Sequence, residues 1–515
     1  MNEQTGFNKL LTGLFIIASF VGLYFQFTCH KFLNNDTLSY INLAERYIAG
    51  DWQHAISGFW SPMYTWLLCI CKLIGFPVPQ SCYVINFLAA ALGLYVLCKL
   101  AQRYFSQPLF YIGFSLYALL LMLFYAMSSL TPDLMAAAFC LLFLLLVTDK
   151  QFAFNKRMQW LAGLVAAFAY FSKLYNFVPI HLFMFTWLAY TFYGHGRGQP
   201  KQLFPIVRTY GIFILLSCAW IITISIHEGQ PVVTTAGKFN HNFMSPDYGG
   251  LYPTNARLIA PPFEKAYSAH TNPAHLLDEY KWSPLNDSRS FWHQVNLIKT
   301  SVLELIRIID ATGAKWLLLI SSLFIIFINR KRISIDRNNG IKKITWFFIC
   351  YPLLYLPLFV LDRYVLVFII LFHLLLFFIA QAAWPFINKK IFVPVIAVLL
   401  AFSIVPFVKL GQRKLASSSG EYLYYKSFYE QLPKFSFLKG QSIASDNYAM
   451  EESTQFCYYL NCRYFSTWTD NQYQSLKKYN IRFLITEEDR SSLPFLHEQG
   501  KMVFQNRVVY IYEIQ

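Results

Sequence analysis

The sequence predicts a mainly α, polytopic membrane protein carrying a small C-terminal α/β domain outside the membrane, and three observations lead there. Of 515 residues, 56% are hydrophobic and only 14% charged, with a mean hydropathy of +0.38, too apolar for a soluble globule. Apolar segments long enough to cross hydrocarbon recur along the chain, with Lys and Arg gathered in the breaks between them. After Leu410 the composition turns polar and apolar residues begin to alternate. The net charge of +16 does not indicate nucleic acid, because the basic residues form no continuous face and instead fit membrane orientation. Ten cysteines, among them Cys98, Cys140, Cys218 and Cys350 within apolar segments, read as small hydrophobes rather than as a disulfide framework or a zinc site.

Leu10 to Phe27 is long enough to span and follows Lys9; with no cleavage motif after it, it reads as a retained first helix with the N-terminus in the cytoplasm. Between Asn34 and Gly50, Leu38, Ile41, Ala44 and Ile48 recur at helical spacing among Ser39, Asn42, Glu45 and Arg46. That pattern predicts an amphipathic interfacial helix, capped by Asn or Asp and stopped by Gly50. Pro62 to Gly75 is short for a crossing and reads as a second interfacial helix. Spans are then expected near 81–100, 108–127, 132–148, 159–175, 177–193, 204–226, 314–329, 344–361, 364–383 and 391–409, about eleven in all with the first. Keeping Pro62 to Gly75 outside the count places Lys99 and Arg103, Lys150 to Arg157, Arg197 to Arg208, Arg330 to Lys343, and Lys389 with Lys390 all in the cytoplasm. The same parity puts residue 36 and the C-terminus outside.

Two outer regions complete the organisation: a membrane domain over 1–409, with outer loops at 29–80 and 227–300, and a soluble domain over 410–515. The 227–300 loop carries Pro231, Pro246, Pro253, Pro261, Pro262, Pro273 and Pro284, which predict irregular backbone; loops this long are usually lids or binding surfaces. In the C-terminal region, strands are expected at 441–445, 481–486 and 508–514 and helices at 450–460 and 471–479. Cys457 and Cys462 could pair outside the cytoplasm, although helical spacing would match their faces poorly.

The densest run of polar and aromatic residues is Asp36-Thr-Leu-Ser-Tyr40 with Ala44, Gly50-Asp51-Trp52 and Ser61-Pro62-Met63-Tyr64. Further along stand Thr131-Pro132-Asp133-Leu134, Lys173 in Phe171-Ser172-Lys173-Leu174, and Asp362-Arg363-Tyr364. Together these resemble the signatures of the GT-C class of membrane glycosyltransferases, in particular its aminoarabinose-transferase and protein-mannosyltransferase branches. The resemblance implies a bacterial cytoplasmic-membrane enzyme that moves a sugar from a polyprenyl-phosphate donor to a hydroxyl acceptor at the outer face, with inversion at the anomeric carbon. Its partners would be that donor, the acceptor and the lipid bilayer, with no nucleic acid. Two positions depart from the pattern. In the lipid A aminoarabinose transferases a Lys that holds the lipid phosphate precedes the Pro of the second interfacial helix, where this chain has Ser61. An Arg precedes the signature Tyr, where this chain has Ser39. Both departures point away from that substrate and toward the wider group of polyprenyl-phosphate-sugar transferases.

Such a transfer needs a base for the acceptor proton and a cation for the departing phosphate. Asp36 is the expected general base; the alternative is that it caps its helix. Asp133 is expected at the outer mouth of two spans, ligating a divalent cation such as Mg or Mn or binding sugar hydroxyls, or else capping a helix after Pro132. Lys173 faces the cavity as a phosphate partner or snorkels to the interface. Arg363 suits bidentate phosphate binding or pairs with Asp362. Tyr40 and Tyr364 join the expected substrate contacts by resemblance. Glu45 and Arg46 read as a solvated face. His241, His270 and His275 with Asp278 and Glu279 match no metal-ligand spacing and read as a solvated loop, whose aromatics Phe239, Phe243, Tyr248, Tyr252 and Trp282 suit sugar stacking. The C-terminal region shows no nucleophile constellation and is expected to bind acceptor or support the loop. A transporter or flippase would instead require broken helices in paired halves, and a polysaccharide polymerase would place its charges in the large outer loop, here Lys238, Arg257 and Lys265.

Overall fold

Long apolar helices dominate the computed structural model of the chain. It describes residues 3–28, 33–128, 130–194, 200–312, 339–384, 427–469, 473–505 and 509–514, with isolated positions at 394, 405 and 409. In chain order the helices are α1 (Glu3–Thr28), α2 (Asn35–Ile48), α3 (Trp52–Ala55), α4 (Pro62–Leu73), α5 (Val78–Tyr104), α6 (Pro108–Ser128) and α7 (Asp133–Val147). There follow α8 (Lys156–Ser172), α9 (Phe177–Gly194), α10 (Pro200–Glu228), α11 (Ala236–Phe243), α12 (Pro253–Ala256) and α13 (Ser288–Ala311). Further helices cover Asn339–Cys350 and Leu366–Ala383. Among the described residues, three stretches are long and apolar enough to cross a membrane: Val78–Tyr104, Pro108–Met127 and Leu203–Glu228. The predicted spans at 314–329 and 391–409 lie outside the described residues, apart from isolated positions in the second.

Two compact units interleave along the sequence. Met1–Phe27, Tyr83–Thr223 and Pro284–Ser417 form the first; Thr28–Cys82, Ile224–Ser283 and Ser418–Gln515 form the second. The 29–80 loop and the 227–300 loop as far as Ser283 cluster with the C-terminal segment.

In the first unit, helices approach closely where side chains are small, as expected where apolar burial alone gives little advantage in lipid. Ala136, Ala137 and Ala138 of α7 and Ala166 and Ala167 of α8 are all buried. At Gly163 of α8 an added Cβ would stand 2.6 Å from the Thr209 carbonyl of α10, so only glycine permits that approach. Arg103 closes the end of α7, donating to the Leu145 carbonyl at 2.7 Å and to Asp149 at 2.6 Å. One segment differs from expectation: residues 288–311, assigned in large part to an irregular loop, form the helix α13. Asp287 caps it by accepting from the Ser290 N–H at 2.7 Å. The prolines end at Pro284, and the apolar residues beyond it recur at helical spacing.

The second unit contains a five-stranded sheet: β1 (Ser442–Ser445), β2 (Arg463–Thr467), β3 (Phe483–Thr486), β4 (Gly500–Gln505) and β5 (Tyr510–Ile514), in the order β2-β1-β3-β5-β4. β1 runs parallel to β2 and β3, the β1–β2 connection passing through the Met450–Leu460 helix, while β5 is antiparallel to β3 and β4. The sequence predicts β1, β3, β5 and that helix but not β2, whose Ser466 has φ +71°, or β4, none of whose residues is fully buried. Cys457 and Cys462 are buried free thiols that donate to the Ser453 and Leu438 carbonyls.

The sheet also holds the 227–283 loop by backbone hydrogen bonds. Ile259 N–H donates to Phe465 O at 2.9 Å and Tyr464 N–H to Tyr267 O at 2.9 Å. From the Met450–Leu460 helix, Gln455 donates to Leu33 O at 2.8 Å, just ahead of α2.

Candidate active site

Helix α2 begins because Asn34 caps it: the Asn34 carboxamide oxygen accepts from the Thr37 N–H at 2.8 Å and from the Thr37 hydroxyl at 2.9 Å. Asp36, two residues further in, is thereby released from the capping role that the sequence left open. Its Oδ1 lies 3.0 Å from His270 Nε2, and its side chain is 24% exposed. Both residues lie in the second unit. A carboxylate in the first turn also sits favourably near the positive end of the helix.

His270 was legible in the sequence only as part of an unconvincing metal cluster. It sits on a single 3-10 turn, Ala269–Thr271, whose start is fixed by Ser268 Oγ accepting from the His270 N–H at 3.2 Å. The imidazole is buried against Tyr252 and Trp60, with ring centroids 4.9 and 5.4 Å away. With Nδ1 meeting no partner among the described residues, Nε2 carries the proton that is donated to Asp36.

The polar side of α2 is not solvated, which corrects the reading of this helix as half in water. Ser39 donates to the His270 carbonyl at 3.1 Å and Asn42 to the Lys265 carbonyl at 3.1 Å. Glu45 accepts from the Tyr267 hydroxyl at 2.6 Å and from Lys72 of α4 at 2.8 Å, and Arg46 lies 3.9 Å from Asp51. Burial, and after it the Glu45 carboxylate, push the Tyr267 hydroxyl well above its ordinary range, so it stays a donor. Tyr40, expected to contact substrate, is only 4% exposed, edge-on to Trp60 and Tyr64 at 5.1 and 5.2 Å. Its aromatic ring belongs to the packing beneath the Asp36 helix.

The first unit brings four other predicted residues into one cluster. Pro132 starts α7, so Asp133 stands in its first turn, with Oδ2 accepting from the Thr131 hydroxyl at 2.7 Å and Oδ1 accepting from Lys173. Lys173 can reach it because the chain breaks there: the residue is extended, between the end of α8 and the short turn Leu174–Asn176. Its ammonium lies 3.9 Å from the centre of the Tyr364 ring, a cation–π contact. Arg363 adds its charge to the field at Asp133, and Asp362 accepts from the Arg363 backbone N–H at 2.7 Å. Tyr355 stacks between Tyr175 and Tyr364, at 3.7 and 5.5 Å, and backs the cluster.

The divalent cation expected at Asp133 finds a poor donor set. One carboxylate, its oxygens engaged by an ammonium and a hydroxyl, does not suit Mg or Mn, which favour several oxygen ligands. Among the described residues no group of three or more His, Cys, Asp or Glu is arranged for a metal. The loop histidines are separated: His241 stacks on Trp282 at 4.6 Å, whereas His275 lies between Glu228 at 3.3 Å and Asp278 at 3.1 Å.

No protein-family model matches the chain, and no curated protein matches it. Solved structures do. ArnT from Cupriavidus metallidurans, bound to undecaprenyl phosphate, shares the fold with a TM-score of 0.55 at 12% identity, over 97% of this chain and 97% of that one. The same protein in its apo state gives 0.54 at 13% identity, over 99% and 98%. The Archaeoglobus fulgidus oligosaccharyltransferase in its apo form gives 0.50 at 10% identity, over 98% of this chain and 74% of that one. ArnT, an aminoarabinose transferase, and the oligosaccharyltransferase are both GT-C glycosyltransferases, and over nearly its whole length this chain has their fold.

Proposed function

We propose that the protein is an inverting glycosyltransferase that moves a sugar from a polyprenyl-phosphate donor to a hydroxyl acceptor at the outer face of the bacterial cytoplasmic membrane. The chain crosses about eleven times, with its N-terminus inside and C-terminus outside, in keeping with the charge of the loops. The observation that carries the reading is that Asp36 is spared from capping and held by His270 at 3.0 Å while partly exposed.

Asp36 takes the proton of the acceptor hydroxyl as the acceptor oxygen bonds to the anomeric carbon. The bond from that carbon to the phosphate oxygen breaks in the same displacement, and the electron pair leaves with the polyprenyl phosphate. Lys173 and Arg363, clustered in the first unit, are the cations that the resemblance assigns to such a phosphate, the guanidinium with two donors and the ammonium as a point charge. His270 is a positioning residue: donating to one oxygen of Asp36, it fixes the rotamer of the base. Undecaprenyl phosphate, the molecule bound to ArnT, is the first donor lipid to test.

Purified protein incubated with a panel of synthetic polyprenyl-phosphate hexoses and pentoses tests the proposal. Transfer by the wild type that falls by about 10²–10⁴ in Asp36→Asn, the range for loss of a general base, supports it. Equal turnover by both removes Asp36 from the chemistry. Specific lipid binding with no transfer from any donor favours a transporter of such lipids, and chain extension of a bound saccharide favours a polymerase.

A further inference from the structure

Within the second unit a cavity of about 180 Å³ opens beside α2, between Leu43, the 53–57 segment, His227 and the loop residues 262–263 and 271–272. It is too small for a prenyl chain or a peptide segment and has room for several waters or one sugar ring.

The lining suits a neutral carbohydrate. Phe263 and His54 stack with centroids 4.3 Å apart, inclined by 29°, and form an aromatic wall of the kind on which the C–H face of a pyranose lies. Asp51 holds the other edge of that wall, 2.8 and 3.0 Å from His54 Nδ1. Around it, Gln53 and Asn272 bring amides, and Ser57 and Thr271 bring hydroxyls. Among the described residues no Asp, Glu, Lys or Arg lines the cavity, and its two histidines are already engaged, His54 by Asp51 and His227 by Glu228 at 3.4 Å. Thr271 is 1% exposed, yet its Oγ1 has no hydrogen-bond partner among the described residues. A buried hydroxyl without a partner is costly unless a ligand completes it. Trp60 fixes the turn by donating to the Thr271 carbonyl at 3.0 Å.

The position of the cavity gives it a role. Thr271 is the next residue after His270 on the turn Ala269–Thr271, so one turn serves both the partner of Asp36 and the cavity wall. We infer that this cavity is a subsite for one neutral sugar ring of the acceptor, which makes the acceptor a saccharide rather than a protein or a simple lipid. The acceptor assignment rests on the transferase reading above; the binding site does not.

Saturation-transfer NMR on the full chain in lipid nanodiscs, with methyl glucoside, galactoside, mannoside and N-acetylglucosaminide as probes, tests it without turnover. The expected result is millimolar binding of at least one glycoside, weakened about tenfold in the nearly isosteric Thr271→Val, as for one lost hydrogen bond, and also weakened in Phe263→Ala. Asp36→Asn should bind as the wild type does. Thermal melting of each variant confirms that it is folded, and Asn272→Ala replaces any that is not. No binding of any of the four glycosides, or binding unchanged in every folded cavity variant, overturns the subsite. Turnover of a donor without glycoside binding sinks the subsite and leaves the transferase. Glycoside binding without any turnover leaves the site and sinks its acceptor role.

Discussion

Asp36 and His270 meet at 3.0 Å although 234 residues separate them in sequence. If this contact orients the base, removing it should slow chemistry without weakening donor binding. His270→Phe, which keeps the ring packing and loses the donor, is expected to lower kcat about 10²-fold, the scale of a small misplacement of a reacting group. KM for the donor should stay unchanged, and His270→Gln should recover part of the loss. A rise in KM with kcat intact would show a binding role instead.

On the proposed function, capping and chemistry belong to different residues at the start of α2. Asn34→Ala is expected to destabilise by about 1 kcal/mol, as loss of a cap does, while turnover per folded molecule stays near that of the wild type. Asp36→Asn should melt like the wild type and lose activity. Denaturation monitored alongside single-turnover kinetics distinguishes the two, and a reversed pattern would return Asp36 to the cap.

Asp133 is 7% exposed and held by Lys173, so removing the ammonium alone strands a charge. Lys173→Met should therefore destabilise by roughly 3–5 kcal/mol, whereas Asp133→Asn with Lys173→Met should recover most of that stability. Neither protein should turn over donor if Lys173 receives the phosphate. Thermal melting with transfer assays in the same detergent reads both.

Chelation gives a further check. Because both oxygens of Asp133 are engaged by protein donors, transfer should survive EDTA within about twofold, with no gain from added Mg or Mn, whose sites need more oxygen ligands. A tenfold loss restored by either ion would reinstate the metal.

Asp278 links the outer loop to acid stability. Burial alone would raise its carboxyl, but the Lys238 ammonium paired with it at 2.7 Å and the His275 hydrogen bond at 3.1 Å outweigh that and leave it below its ordinary 3.8. A carboxyl lowered in the folded state contributes stability above its unfolded value and loses it as pH falls through the folded one. Melting temperatures taken from pH 6 down to about 3 should therefore fall more steeply in the wild type than in Asp278→Asn. Parallel curves would mean that the loop does not depend on this carboxylate.

The helices were legible because their signals are local: length, hydropathy, the Asn and Pro at their starts. Asp36 and Asp133 could both be picked out on that basis, Asp36 in a helix-starting context and Asp133 after Pro132. His270 could not, since its importance comes from a contact across the chain, and nothing in the run Tyr267-Ser-Ala-His-Thr271 distinguishes it from other loop residues. Glu45 and Asn42 misled for the same reason: polar residues on a helix look solvated until a distant loop takes their hydrogen bonds. Tyr40 carried a recognisable motif, but whether an aromatic ring faces a ligand or the packing beneath it is decided in three dimensions.

The hydrogen bond from Gln455 to Leu33 spans 422 residues, and the backbone bonds of Tyr464 and Phe465 hold the loop that carries His270. This ties the proposed activity to a timetable. Asp36 emerges among the first residues made, but the strand that steadies its partner is synthesised roughly 20–85 s later at ordinary elongation rates. A chain halted before Arg463 would have its membrane helices and its base in place without the sheet that holds the turn carrying His270. Activity then becomes a property of the finished polypeptide, and a truncated product in the membrane would be inert rather than a transferase with relaxed control.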